Sequence, residues 1–188
     1  MLHFFEKFHF YAEITGYRGV TFEQADAYLK ANRKAQPQTV WIQFFNSDLI
    51  ATQEHLYFAV LNALTAFRDK TNLSKSLAME TMLYASSQRQ IQKAIQVIGL
   101  KPGMSEMAVS IIGESAEIVK AALKDLSDYL QTEPCDEVLG LTSKKSRQIK
   151  EAFNITPSMI AVAAKGRGED LALVDLVIEQ VALLATSL

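Results

Sequence analysis

Beyond Gly113 this chain offers one helix signal after another and no strand pattern, so any sheet must be assembled from residues 1–113. Residues 114–130 and 143–153, a short segment opening at Pro157 and a last one from Glu169 all read as helices. Their boundaries have physical reasons. Thr156 is an N-cap residue followed by Pro157, whose missing N–H does no harm in a first helical turn. Glu169 and Asp170, just after Gly168, place negative charge against the positive end of the next helix dipole.

The strand signals lie upstream. Phe8, Phe10, Ala12 and Ile14 alternate with His9, Tyr11, Glu13 and Thr15, the period of a strand with one wet face, and Gly16 and Gly19 mark its end. Thr21 and Gln24 form a capping box that opens a helix to about Ala35, before Pro37. Residues 40–45 and 107–112 read as short buried strands. Between them, residues 52–68 make a helix whose Leu56, Val60, Leu64 and Phe67 form one apolar stripe. Residues 77–85 are strand-like towards their end, although Met79, Glu80 and Met82 also suit a helix. The class is therefore α+β: a small, mostly antiparallel or mixed sheet of about four strands, packed with about seven to eight helices, the C-terminal part helical. With 188 residues and 49% hydrophobic content, a single domain over 1–188 is expected.

Charge and composition exclude several roles. A formal charge of −2 and a pI of about 5.9 rule out coating DNA by bulk electrostatics, leaving room for a localised site only. Cys135 stands alone, which suits a reducing cytoplasm and leaves no cysteine-based zinc site. Residues 1–10 mix Glu6, Lys7 and two histidines into their aromatics, unlike a signal peptide. Asp175, Glu179 and Gln180 interrupt the apolar C-terminal stretch, so no membrane anchor is expected. Nucleophile-elbow and phosphate-loop motifs are missing, and Gly166-Arg167-Gly168 lacks the later glycine of a dinucleotide fingerprint. His3, His9 and His55 give no ligand pair at helical spacing, so no metal or catalytic site is expected.

The richest functional signal lies in residues 83–95. An apolar run ends at Ser86 and Ser87, and a basic, amide-rich segment follows with Arg89, Gln90 and Lys93. Ser87 and Gln90 have capping-box spacing, which predicts a helix from about Gln88 that stops before Gly99, a good left-handed terminator. Unpaired N–H groups and the dipole at such a start favour an anion, and the window 81–105 contains three cations and no carboxylate. Lys30, Arg33 and Lys34 form a second basic cluster, and Lys144, Lys145, Arg147 and Lys150 a third. The three either line one groove or decorate separate wet faces. The last helix carries apolar residues around most of its circumference, so it either runs through the middle of the fold or is covered in part by another protein.

Taken in order, 46–50, 54–59, 83–91 and 175–184 resemble the small accessory subunit of the KEOPS complex, the TPRKB family with its archaeal and yeast Cgi-type counterparts. The resemblance spans most of the chain. It implies a compact α+β, non-catalytic subunit without a cofactor, which binds the small kinase-like ATPase of the complex and the acceptor 3′ CCA end of tRNA. The complex makes threonylcarbamoyl-adenosine in tRNA. On this reading Arg89, Gln90 and Lys93, assisted by Ser86, Ser87, Asn46 and His55, meet the RNA end, while Leu176, Val177, Ile178, Gln180 and Val181 meet the kinase-like partner. Two residues depart from the family pattern, which has glycine at Ser87 and arginine at Gln180. The rival reading is a stand-alone enzyme or binding protein for a phosphorylated metabolite, its pocket built on His55 and Arg89.

Overall fold

Strands β1 (Leu2–Phe5), β2 (Phe10–Arg18), β3 (Val40–Asn46) and β4 (Glu106–Gly113) form one antiparallel sheet, in the order β1-β2-β4-β3, in the computed structural model, which describes residues 1–32 and 39–186. The hairpin joining β1 to β2 turns through a single 3-10 turn at Glu6–Phe8, with His9 in a left-handed conformation. The alternation at residues 8–15 therefore belongs to β2 only from Phe10. The N-terminal aromatics ahead of it form a separate edge strand that the sequence pattern does not announce.

Eight helices stand among the described residues: α1 (Phe22–Asn32), α2 (Gln53–Asp69), α3 (Leu77–Ala85), α4 (Ile91–Ile98), α5 (Ala116–Leu130), α6 (Ser143–Ala152), α7 (Pro157–Ala164) and α8 (Glu169–Thr186). They cover both faces of the sheet. On one face Tyr17, Phe44, Val109 and Ile111 pack with Tyr28 of α1 and Val119 and Leu126 of α5. On the other, Ile14, Phe45 and Ile112 join Leu56, Leu83 and Val177 in the larger core. The expected wet face of β2 is thus dry. Thr15 is buried and donates to Asp136 at 2.6 Å, while the buried Glu13 carboxylate receives the Met1 amino group.

Local cap chemistry carries over directly. The Thr21 N–H donates to Gln24 Oε1 at 2.9 Å and the Gln24 N–H returns to Thr21 Oγ1 at 3.2 Å. Thr156 caps α7 and Pro157 opens it. Residues 77–85, by contrast, are helix. Leu77, Leu83, Tyr84 and Ala85 of α3 are buried along with its Glu80 and Thr81, so no polar side marks its period, and an apolar run of that length is ambiguous between strand and helix. The Thr81 hydroxyl donates to the Leu77 carbonyl one turn back at 2.9 Å, and the Glu80 carboxylate accepts from the N–H groups of Leu73 and Ser74 in the preceding loop.

The turn after α3 also departs from expectation. Ser87 sits at φ +52°, its N–H donates to the Tyr84 carbonyl, and the Gln88 N–H donates to the Leu83 carbonyl at 3.0 Å. This bond pair is a Schellman ending, so Ser87 closes the helix behind it and does not open the one ahead. No Ser87–Gln90 capping box forms, and α4 begins at Ile91 with Gln90 as an N-cap whose side chain makes no capping bond. Gly99 ends α4 in extended backbone, not left-handed. It is needed for space, because a Cβ there would run into the Ile95 carbonyl oxygen.

Candidate nucleic-acid interface

The corner between α3 and α4 is pinned from behind. His55, in the first turn of α2, is completely buried. Its Nδ1 accepts the Ala51 N–H at 3.3 Å, which leaves Nε2–H to donate to the Ala85 carbonyl at 2.8 Å, at the end of α3. Burial holds the ring neutral, its pKa lowered to about 4, with the positive charge of Lys145 acting in the same direction against the bond to Ala85. The edge of the Phe153 ring closes the site, 5.7 Å away between centroids. Ser86, also buried, donates its hydroxyl to the Leu83 carbonyl at 3.0 Å, and the Ser87 hydroxyl oxygen is buried without a partner.

The seven residues expected at an RNA end therefore divide. Arg89, Gln90 and Lys93 are exposed together around the start of α4, beside the exposed Ile91 and Ile95. Ser86, Ser87 and His55 shape the backbone beneath them. Asn46 belongs elsewhere: its side-chain oxygen accepts the Asp48 N–H at 3.0 Å, and it lines a polar hollow of about 220 Å³ with Ser47, Asp48, Glu106 and Lys144. With both ring nitrogens engaged and no exposed surface, His55 cannot act as a pocket base, which removes the metabolite-enzyme arrangement built on His55 and Arg89.

In the other basic clusters Lys30, Lys144 and Lys150 pair with carboxylates, Lys145 turns inward and Arg147 is exposed. Lys144 pairs with Asp48 at 3.0 Å and Lys150 with Glu169 at 3.4 Å. Lys145 is buried, donates to the Val138 carbonyl at 3.1 Å and has its pKa lowered to about 8 by desolvation, against the opposing pull of Asp48 and Glu106. Sequence reasoning groups these lysines by charge alone. The Thr142 hydroxyl caps the Lys145 N–H, but that bond does not set the side chain's direction, and no signal in the sequence announces that Lys145 turns inward to the Val138 carbonyl. Lys30 pairs with Asp26, while Arg33 and Lys34 lie outside the described residues.

On α8, Leu176, Val177 and Val181 are buried within this chain, so their apolar surface serves its own core. Ile178 packs half-buried against that core, and the Gln180 amide donates to the Phe153 carbonyl at 2.9 Å. The solvent stripe of the helix runs through Leu171, Asp175, Glu179, Ala182 and Leu183. Among the described residues no helix is long and apolar enough to cross a membrane, and no group of three or more His, Cys, Asp or Glu side chains could hold a metal.

Comparison with known proteins gives two matches. A family model described as "Kinase binding protein CGI-121" matches residues 18–185. The "Regulatory protein Cgi121" of Methanocaldococcus jannaschii is 35% identical over 113 residues, an alignment that covers 60% of this chain and 70% of that protein.

Proposed function

Because this chain belongs to the CGI-121 family of kinase-binding proteins, the TPRKB-type accessory subunits, we propose that it is a non-catalytic subunit of a KEOPS complex. In this role it holds the acceptor 3′ CCA end of tRNA and activates the kinase-like ATPase, in support of threonylcarbamoyl-adenosine formation. The observation that carries the RNA part is the α3–α4 corner. Arg89, Gln90 and Lys93 are exposed around a helix start without a side-chain cap, on backbone fixed from behind by His55. The first N–H groups of α4 and two cationic side chains favour phosphate at the same point. An unpaired RNA end suits such a short site, since its bases are open to amides and apolar side chains.

The partner part rests on the family's kinase-binding description and on α8. With Val177 and Val181 committed to the core, the surface left for a partner is the stripe bearing Leu171 and Leu183. The test of the RNA part is binding of tRNA with and without its CCA tail at several salt concentrations. For each phosphate that Arg89→Glu/Lys93→Glu no longer neutralises, the slope of log affinity against log salt falls by about 0.7. An unaltered slope and affinity in the folded double variant rejects this site, and equal binding of tail-less tRNA rejects the end-recognition reading.

A further inference from the structure

A second hollow, about 360 Å³, opens beside the β1–β2 hairpin. Its wall is built from four rings, Phe8, Phe10, Trp41 and Phe67, each only partly buried. The Phe10 and Trp41 rings are tilted at 54° with centroids 5.8 Å apart, so they form an angled cleft instead of closing on each other. Lys7 and Arg68 stand at its rim. The Arg68 guanidinium lies 5.3 Å from the Phe8 ring centroid and is held there by Asp69, which accepts from Nε at 2.7 Å and from Nη2 at 3.0 Å. No carboxylate lines the hollow itself among the described residues.

Ring faces beside cations suit a ligand that is flat, aromatic and anionic. A base gains by stacking on such a wall whatever its hydrogen-bonding edge, and its phosphate gains from the adjacent ammonium. An extended peptide is poorly served. The rings offer one hydrogen-bonding atom, Trp41 Nε1, so buried peptide N–H and C=O groups would lose water without finding partners. We propose that this hollow takes one unpaired nucleotide of a single-stranded RNA, its base against Trp41 and Phe10 and its phosphate against Lys7. The choice of RNA rests on the function proposed above, whereas the base-and-phosphate chemistry rests on the hollow alone.

Trp41 is the chain's only tryptophan, so its emission reports the site directly. The full chain is titrated with adenosine 5′-monophosphate, with ribose 5-phosphate and with a short oligocytidylate whose binding is followed independently by anisotropy. The expected result is quenching by the mononucleotide and the oligomer but not by ribose 5-phosphate. Lys7→Glu, at an exposed position, should weaken the quenching midpoint about fivefold while leaving unfolding unchanged. Unaltered emission when anisotropy shows the oligomer bound overturns the site, as does equal quenching by ribose 5-phosphate. Arg89→Glu/Lys93→Glu separates the two readings: loss of tRNA binding with mononucleotide quenching retained supports both. Retained tRNA binding in that variant rejects only the corner, and missing quenching in the parent chain rejects only the hollow.

Discussion

Acid should weaken this fold through His55, by an amount the structure sets. In the folded chain the ring is neutral, with a pKa of about 4, while in the unfolded chain it returns to about 6.5. Above pH 6.5 both states carry a neutral ring and stability is flat with respect to this group. Between pH 6.5 and 4 the unfolded state binds a proton that the folded state refuses, so stability falls as pH falls. The full loss is about 3 kcal/mol, with a slope of about 1.4 kcal/mol per pH unit within the window. The cause is specific. Protonation puts a hydrogen on Nδ1, which faces the Ala51 N–H, and adds a positive charge near Lys145. The assay is urea unfolding across that window for the parent chain and for His55→Gln, because carboxylate titrations are common to both and cancel in the difference. The gap between the two chains should narrow towards pH 4 by the stated amount. A difference independent of pH, or an imidazole NMR titration midpoint near 6.5 in the folded protein, would refute the reasoning.

Other substitutions probe neighbouring parts of the structure. Ser87→Gly removes about 1–2 kcal/mol of left-handed strain and a buried unpaired hydroxyl, against about 0.5–1 kcal/mol of added chain entropy in the unfolded state, so a net gain of about 1 kcal/mol should appear as a higher urea midpoint with unchanged m. Gly99→Ala should destabilise by about 1–3 kcal/mol in the same assay, since its Cβ meets the Ile95 carbonyl. Leu183→Glu, at an exposed position, should leave stability within about 0.5 kcal/mol yet reduce co-purification with the kinase-like subunit. Val177→Glu should instead unfold the chain, as it places a charge in the core.

What the sequence disclosed and what it concealed follow from the range of the interactions. Thr21 with Gln24 and Thr156 with Pro157 act within one turn of backbone, and each does in the fold what its spacing implies. Residues 77–85 hide their helix because α2, α8 and the sheet enclose them, and periodicity is visible only where one side meets water. The wet face expected of β2 fails for a related reason: α5 and the 3-10 turn at Asp136–Leu139, which cover it, come from far along the chain. Ser87 misleads because the same residue types suit a helix exit and a helix entrance, and its positive φ is invisible in one sequence. The positions of Arg89, Gln90 and Lys93 at an exposed helix start are legible. The support beneath them is not, since His55 reaches Ala85 across 30 residues of chain.

That support decides what kind of binder the corner can be. The Schellman pair, the Ser86 bond to Leu83 and the His55 bond to Ala85 fix the backbone of the turn independently of any ligand, so an incoming anion need order only the side chains of Arg89, Gln90 and Lys93. The remaining cost is side-chain entropy, about 0.5–1.5 kcal/mol for each long side chain held. Glycine at position 87 would reach the same left-handed turn without strain, whereas serine is held there by these bonds. Stability and binding should therefore respond separately at this one position. Ser87→Gly should raise the unfolding midpoint and leave RNA affinity where it was, because it changes the strain in the turn and not its shape. An affinity change of tenfold or more in Ser87→Gly, about 1.4 kcal/mol, would mean that the serine side chain itself takes part in binding and that the turn is more than a scaffold for its neighbours.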